Sequence, residues 1–331
     1  MNRRGVLALL AGAMIVTRIT RAQQPGQVYR LAIMSALRRD DPVYLAFFDE
    51  LRRTGFVDGE NLVVDGRFLV RDEDAAPLAE ALLAGKPDLI LTAGDPRTRA
   101  VQHTTQGIPI LTIADDVLRH GLVDSLSHPR GNTTGISILA TEIDGKRQEL
   151  LIELVPEARH IAALVDPDIT PPTALRELQS AAEARGITLF IHSAARPQEI
   201  AGAIDAAHEV GAQALNVLAA PSLNANRTVI IERTAALRIP AIYQWPETAE
   251  AGGLIAYGPR FTEVFRQVAR QAVKIFNGAK PVDIPVEQPT RFELVVNHGR
   301  SANGRSRAVS RSTLVKSRAS GVRREQPLRF S

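Results

Sequence analysis

From residue 29 onward, the chain alternates short apolar runs rich in β-branched residues with longer amphipathic segments. One series of runs lies at 30–34, 61–64, 88–92, 108–113 and 134–137, and a second lies at 160–165, 187–191, 212–218 and 239–243. Continuous apolar strands between helical segments are typical of parallel sheets covered by helices on both faces. The two series therefore predict an α/β chain made of two similar Rossmann-like lobes.

Two segments are predicted to cross between the lobes, and they set the expected domain boundaries. Residues 131–145 lead from the first series to the second, and residues 252–259 lead back. We assign residues 28–139 and about 255–284 to lobe 1, and residues 140–254 and about 285–299 to lobe 2. Several crossings between two lobes form a multi-strand hinge with a cleft beside it.

The N-terminus has the layout of a secretory signal. Arg3 and Arg4 precede an apolar run over 5–16 and a polar exit over 17–24, and the run is too short to span a bilayer stably. We predict a signal peptide and short linker over 1–27, with cleavage after Ala22. Export would use either the general secretory or the twin-arginine route. A retained membrane anchor, or an N-terminus without a role, is the alternative. The chain has no cysteine, which excludes disulfides and a lipidated cysteine.

The basic isoelectric point comes from the two ends of the chain. The first 27 residues hold four arginines and no acid, which gives this segment a charge of +4. Residues 300–331 hold nine basic residues and one glutamate, which gives a charge of +8. Because the net charge of the whole chain is +4, the body between the two ends carries −8. We therefore predict no nucleic-acid partner. The stretch 300–331 is rich in Arg, Ser and Gly without an apolar period, and it is predicted to be a disordered basic tail.

Signatures of enzymes are missing from the sequence. It has no Gly-x-Gly-x-x-Gly after the first strand, no Walker lysine loop and no Gly-x-Ser-x-Gly elbow. The seven histidines do not fall at metal-ligand spacing. Asp115 with Asp116, and Asp166 with Asp168, could act as acid and base, but capping of loops or hydrogen bonding to a ligand is the favoured interpretation. We predict a protein that is not an enzyme and has no metal or cofactor.

Polar and aromatic residues collect where predicted strands end, which is where open α/β sheets bind ligands. These candidate ligand-binding residues are Ser35, Thr92, Asp95, Asp116, Ser137, Asp166, Ser222, Tyr243 and Trp245. A cleft lined by hydroxyls, carboxylates and an aromatic pair suits a small polar solute with an apolar part. For Tyr243 and Trp245, packing at a sheet edge is the equally weighted alternative.

Several motifs, in order along the chain, resemble one family. They are Gly-Leu-Val-Asp-Ser-Leu at 121–126, Pro-Arg-Gly-Asn-Thr-Thr-Gly at 129–135, Lys-Arg-Gln-Glu-Leu-Leu at 146–151, Pro-Ala-Ile-Tyr-Gln-Trp at 240–245, Ala-Gly-Gly-Leu-Ile-Ala-Tyr-Gly at 251–258, Lys-Pro-Val-Asp-Ile-Pro at 280–285 and Phe-Glu-Leu-Val-Val-Asn at 292–297. Together they resemble the ABC-transporter substrate-binding proteins of the type described for tryptophan and other aromatic amino acids. The resemblance covers about residues 1–297.

The resemblance implies a type I periplasmic-binding-protein fold whose lobes close on a solute. Such a protein works as a monomer in the periplasm and delivers its small-molecule solute to an ABC permease in the inner membrane. A ligand-sensing protein that signals to a membrane sensor kinase uses the same fold and is the alternative function. A neighbouring permease gene would favour transport, and a neighbouring kinase gene would favour sensing.

Departures from the family pattern fall at the expected site. Asp95 stands where relatives have Thr or Ser, and a carboxylate there would repel a ligand carboxylate at the helix N-terminus. Asp116-Val117 replaces Asp-Pro, Asp166-Pro167-Asp168 replaces an Asn-Pro run, and Ala220 replaces an aspartate. An aromatic amino acid is therefore not assumed as the ligand. After Asn297 the family's final apolar helix is missing, from which we hypothesise a frameshift near His298, testable by resequencing.

Overall fold

The computed structural model describes residues 26–68 and 74–297. The predicted cleavage point after Ala22, the preceding leader and the basic tail lie outside these residues. Within them, no helix combines the length and the apolar character that a bilayer crossing requires.

The first lobe is built on a five-stranded parallel sheet in the order β2-β1-β3-β4-β5. Its strands are β1 Tyr29–Met34, β2 Leu62–Arg67, β3 Leu89–Ala93, β4 Ile110–Ala114 and β5 Thr133–Ser137, and its helices are α1 Pro42–Arg53, α2 Ala75–Leu83, α3 Asp95–Thr104 and, from late in the chain, α10 Phe261–Phe276. The central strands are buried along their length, as expected for strands covered on both faces.

The second lobe is built on a six-stranded sheet in the order β11-β10-β9-β8-β6-β7. Its elements are α4 Ala140–Leu154, β6 His160–Val165, α5 Pro172–Glu183, β7 Thr188–Ser193, α6 Pro197–Glu209, β8 Leu215–Val217, α7 Pro221–Ala225, α8 Arg227–Ala236, β9 Ala241–Tyr243, α9 Pro246–Glu250, β10 Ile255–Gly258 and β11 Glu293–Val296. Only β11 runs antiparallel to its neighbour among these pairings of described strands. The predicted α/β class and the two lobes with largely parallel sheets are confirmed.

The core of the first lobe joins the start of the chain to its late segment. Helix α1 packs along α10, and the rings of Tyr44 and Phe265 meet edge to face with 5.0 Å between centroids. Phe47 and Leu51 are fully buried in the same cluster. At the N-terminus of α1, the carboxylate of Asp41 accepts a hydrogen bond from the Val43 N–H at 3.2 Å, so this loop residue fixes where the helix begins.

A glycine at the middle of β5 permits close approach of two strands. Gly135 has φ of 148°, and a Cβ at this position would lie 2.0 Å from the carbonyl oxygen of Thr112 on β4. No side chain fits there without moving the backbone. The strand that leads to the second lobe is therefore held tightly against β4.

The boundaries of the late segments differ from the expected ones. Strand β10 pairs with β9 in the second sheet, so the chain returns to the first lobe after Gly258 rather than at about residue 255. Val286 and Glu287 stay with the first lobe, where the Glu287 N–H donates to the Gly135 carbonyl at 3.0 Å, past the boundary expected at about 285. A short apolar run shows that a strand forms, but it carries no information about which sheet the strand joins.

Candidate functional site

A cleft between the lobes lies at the carboxyl ends of both sheets and encloses a cavity of about 70 Å³. The first lobe and the connecting segment supply Ser35, Ala36, Leu37, Ala93, Gly94, Asp95, Ile113, Ala114, Asp115, Ile138, Ala140 and Phe261, and the second lobe supplies Ile169, Ala219, Ala220, Pro221, Asn224, Gln244 and Trp245. The lining is mostly apolar, with a few polar groups, which is the usual composition of a small-molecule site. Of the predicted site residues, Ser35, Asp95 and Trp245 line this cleft.

Helix α3 brings a carboxylate into the cleft through the turn that follows β3. Asp95 begins the helix, and its Oδ1 accepts the Asp115 N–H at 3.3 Å. Its other oxygen pairs with Nδ1 of His120, a hydrogen bond that raises the pKa of this histidine above its ordinary value. Asp95 is thus held from two sides, and the loop after β4 is tied to the start of α3.

Ser35 lies at the end of β1, where its hydroxyl oxygen accepts the Leu37 N–H at 3.0 Å. This contact shapes the loop that places Leu37 in the lining. Tyr44 of α1 is fully buried nearby, and burial raises the pKa of its hydroxyl above the ordinary value. The β1 end therefore contributes a fixed hydroxyl and an apolar side chain to the site.

Trp245 joins the two lobes across the cleft. It follows β9 of the second lobe, and its ring stacks on Phe261 of the first lobe with centroids 3.9 Å apart and planes 9° apart. The side chain is only 4% exposed, and among the described residues its indole Nε1 has no hydrogen-bond partner. A buried indole N–H without a partner is costly.

Asp166 and Ser222 form a pair in the second lobe next to the cleft. The Ser222 hydroxyl donates to Asp166 Oδ2, and the Asp168 N–H donates to Oδ1 at 3.1 Å. Burial raises the pKa of Asp166, an effect that these hydrogen bonds and the charge of Arg97 oppose. Neither Asp166 nor Ser222 is among the residues that line the cavity, and their contact with a ligand remains a prediction.

Two of the predicted site residues form hydrogen bonds within the first lobe. The Thr92 hydroxyl lies 2.8 Å from that of Thr98, which lies 2.7 Å from that of Thr112, so a buried chain of hydroxyls links β3, α3 and β4. The Ser137 hydroxyl donates to the carbonyl oxygen of Asp115 at 2.8 Å. These side chains position the walls of the cleft and do not line it.

Asp116 and Tyr243 are also placed outside the lining. The carboxylate of Asp116 accepts the N–H groups of Leu118 and Arg119 at 3.2 and 3.0 Å, so it caps the turn after β4. The Tyr243 hydroxyl lies 3.1 Å from that of Thr234 inside the second lobe. Like Thr92 and Ser137, they have structural partners that account for their polarity, and ligand contact by any of them stays a prediction.

The sequence did not single out several residues that the fold brings to the cleft. Asn224 and Gln244 supply amide groups, and Asp115 lines the cavity where the neighbouring Asp116 had been selected. His120, which pairs with Asp95, enters the sequence-based prediction only as one of seven histidines without metal-ligand spacing. The spacing of Asp95 and His120 offers no signal, because the two residues are 25 positions apart in sequence, with most of α3 and all of β4 between them.

The lobes touch at the rim of the cleft. Arg227 of α8 donates to Asp41 of the first lobe at 2.8 Å, with side chains that are 27% and 11% exposed. At the other contact, a Cβ on Gly94 would lie 3.4 Å from Pro221 of the second lobe. An ion pair that joins the lobes forms only when they are close, so this conformation is a closed one.

A buried ion pair stands beside the connecting segments. Arg147 of α4 is fully buried, pairs with Asp144, and donates to the carbonyl oxygens of Ala140 at 3.1 Å and Tyr257 at 3.4 Å. Asp144 also accepts the N–H of Ala219, a cleft residue, at 3.3 Å. Burial raises the pKa of Asp144 to about 6. The pair thus ties the segment entering the second lobe, the strand leaving it and one wall of the cleft.

Nothing in the described part of the chain groups three or more His, Cys, Asp or Glu side chains so that they could hold a metal ion.

Comparison with known proteins finds a matching family and a relative. The family described as ABC transporter substrate binding protein matches residues 39–306. A tyrosine-binding protein of Clostridioides difficile (strain R20291) is 25% identical over 263 residues, which cover 78% of this chain and 74% of that protein.

Solved structures with low sequence identity share the fold. A conserved domain protein from Vibrio cholerae is 22% identical with a TM-score of 0.73, and an ABC domain in complex with L-Trp from Streptococcus pneumonia is 21% identical with a TM-score of 0.71. Each comparison covers 82% of this chain and 92% of the other.

Proposed function

Because this chain belongs to the family of ABC transporter substrate-binding proteins, we propose that it is the extracytoplasmic solute-binding component of an ABC importer. It captures a small polar solute between its lobes by hinge closure and presents the closed form to a membrane permease. The protein itself is a binding protein and not an enzyme, as the family and the structural neighbours indicate.

The observation that carries the proposal is a cleft whose walls come from both lobes. Asp95 and Ser35 stand on one side, Asn224 and Gln244 on the other, and the stack of Trp245 on a first-lobe ring spans them. A ligand that contacts both walls binds the closed form better than the open form, so it shifts the population toward closure. The tyrosine-binding relative supports a solute of amino-acid size, while the residues of the present cleft decide its chemistry.

The rest of the assignment follows the same proposal. Export by a cleaved leader to the periplasm and action as a monomer fit a receptor that meets solutes outside the cytoplasm. No observation in the cleft favours signalling to a sensor kinase over transport, so transport is the function put forward.

The test is mass spectrometry of whatever co-purifies with protein taken from its native host. The identified solute is then added to protein that has been unfolded, stripped and refolded. We expect the melting temperature to rise with solute concentration and the radius of gyration to fall on binding. A protein that retains no solute, and whose radius stays constant with the native host's small-molecule extract, would not be a solute receptor.

A further inference from the structure

The first crossing between the lobes holds a residue with an unusual backbone conformation. Leu139, directly before α4, has φ of 49° and ψ of 41°, which is the left-handed region that glycine favours. The other non-glycine residues of the described chain with positive φ are Lys86 and Arg238, and both follow the end of a helix, where a left-handed residue is common. The residue before a helix is usually extended instead. The conformation of Leu139 is therefore not explained by its place beside a helix.

On one side, Leu139 is tied to the first lobe. The Ile138 N–H donates to the Ala114 carbonyl at 2.9 Å, and the Leu139 N–H donates to the Asp115 carbonyl at 3.0 Å. Ala114 ends β4, and Asp115 is the first residue beyond this strand. The chain up to the nitrogen of Leu139 therefore moves with the first lobe.

On the other side, the chain is tied to the second lobe. Ala140 is the first residue of α4, and its carbonyl oxygen accepts a hydrogen bond from the buried guanidinium of Arg147 at 3.1 Å. Asp144, about one turn later, accepts the N–H of Ala219 of the second lobe at 3.3 Å. From Ala140 onward the chain therefore moves with the second lobe. The two torsion angles of Leu139 lie between these anchors and form the pivot of the crossing.

The other two crossings offer more residues over which a rotation can be spread. Pro259 and Arg260 lie between β10 and α10, and residues 288–292 lie between Glu287, which bonds to the first lobe, and β11. The first crossing instead concentrates the rotation at one residue. Because the left-handed region open to a residue with a Cβ is small, the torsion angles of Leu139 can change little before its Cβ meets the backbone.

We propose that Leu139 is a stiff pivot, which limits the angle through which the unliganded lobes open. Its left-handed conformation restricts the swing of α4 relative to β5, so the walls of the cleft stay near the arrangement of the closed form. A site that varies less before binding loses less conformational entropy when it closes on a solute. This inference rests on the proposed function, since it names the residue that sets the range of hinge closure.

The test measures the distance between the lobes in the unliganded protein. Because the chain has no cysteine, Arg119→Cys after β4 and Asp168→Cys after β6, both exposed, provide two sites for spin labels. Pulsed electron spin resonance then gives the distribution of distances between the labels. We expect Leu139→Gly to extend this distribution to longer distances and to widen it by at least about 1.5-fold, because glycine is free of the restraint that a Cβ imposes.

Two further variants isolate the effect of the backbone at this position. Leu139→Ala loses the same side chain beyond the Cβ but keeps the restraint, so it should keep the wild-type width. Lys86→Gly frees a left-handed residue outside the crossings and should also keep that width. Urea denaturation shows that each variant is folded and checks the conformation itself. At a left-handed position, Leu139→Gly should unfold at a higher urea concentration than Leu139→Ala.

The inference is overturned if Leu139→Gly keeps the wild-type width, or if Leu139→Ala or Lys86→Gly widens the distribution as much as Leu139→Gly does. A urea midpoint of Leu139→Ala equal to or above that of Leu139→Gly would also overturn it, because the residue would then not be held in the left-handed region. The proposed function is judged separately by the co-purified solute. A protein that contracts on its solute while Leu139→Gly keeps the wild-type width would retain the receptor function and lose the stiff pivot.

Discussion

The ion pair between Asp41 and Arg227 should act as a latch on the closed state. It joins the lobes at 2.8 Å and is largely withdrawn from water, with the carboxylate 11% exposed and the guanidinium 27% exposed. Fully exposed pairs contribute about 0.2–1 kcal/mol, and this degree of burial places the pair near the top of that range or slightly above, at about 1–1.5 kcal/mol. Since opening breaks the pair, its loss should shift the closed-to-open ratio by about 5–13-fold.

The perturbation is made with two neutral substitutions. Asp41→Asn keeps a side-chain oxygen that caps α1 through the Val43 N–H, so the helix start is preserved. Arg227→Gln removes the other charge. Each single variant and the double variant should open the unliganded protein to the same extent, because breaking the pair once leaves nothing more to lose. Arg233→Gln on the same helix breaks an ion pair within the second lobe, to Asp205, and should leave closure unchanged.

The assay measures the distance between the lobes directly. Because the chain has no cysteine, Glu60→Cys on the first lobe and Glu183→Cys on the second, both exposed, provide two unique sites for donor and acceptor dyes. Single-molecule energy transfer then gives the populations of open and closed molecules. If the single variants keep the wild-type populations, or if their effects add in the double variant, the pair is not a latch and the reasoning is refuted.

Three further predictions concern stability. Gly135→Ala should lower the free energy of unfolding by about 3 kcal/mol or more, because its Cβ would lie 2.0 Å from a backbone oxygen. Gly145→Ala, in a helix with open space around it, should raise the free energy of unfolding by about 0.5–1 kcal/mol. Urea denaturation measures both changes, and changes of the same sign would contradict the prediction. Arg147→Met leaves a buried carboxylate uncompensated and should lower the free energy of unfolding by about 3–5 kcal/mol. Lys146→Met, at the exposed neighbouring position, should lower it by less than about 0.5 kcal/mol. Similar losses in the two variants would contradict the stabilising role of the buried pair. The pKa of His120 is raised in the folded state, so its stabilising contribution is full below the unfolded pKa and is lost as pH rises through the folded pKa. The loss of stability on His120→Gln should therefore be greater at about pH 6 than at about pH 9. A loss that does not change with pH would show that protonation of His120 does not contribute to folding stability.

The sheets could be predicted from the sequence because their strands are continuous apolar runs. The run at 88–92 became β3 Leu89–Ala93, and that at 160–165 became β6 His160–Val165. Strand β10 Ile255–Gly258 shows the limit of what an apolar run can predict. Its apolar residues fit either sheet, and its place beside β9 follows from long-range pairing that a local pattern does not contain.

The site could be predicted only in part, because a polar residue at a strand end can satisfy its hydrogen bonds in two ways. Ser35 and Asp95 line the cleft, but the hydroxyl of Thr92 bonds to neighbouring hydroxyls in the core. Residue type does not distinguish these outcomes. Whether a side chain lines the cleft or bonds in the core depends on the face of the strand or turn from which it projects, and tertiary packing sets that face.

Two adjacent residues in the loop after β4 illustrate this difference. The strand ends at Ala114, so Asp115 is the first residue beyond it and lines the cavity, while Asp116 turns back to cap the N–H groups of the following turn. The same loop reaches His120, which pairs with Asp95 at the start of α3. Since Asp95 in turn accepts the Asp115 N–H, one short loop and one helix end hold both cleft carboxylates in place. A shift of this strand end by one residue would exchange a cavity-lining carboxylate for a capping one, so the composition of the cleft wall depends on where β4 stops as much as on which residues follow it.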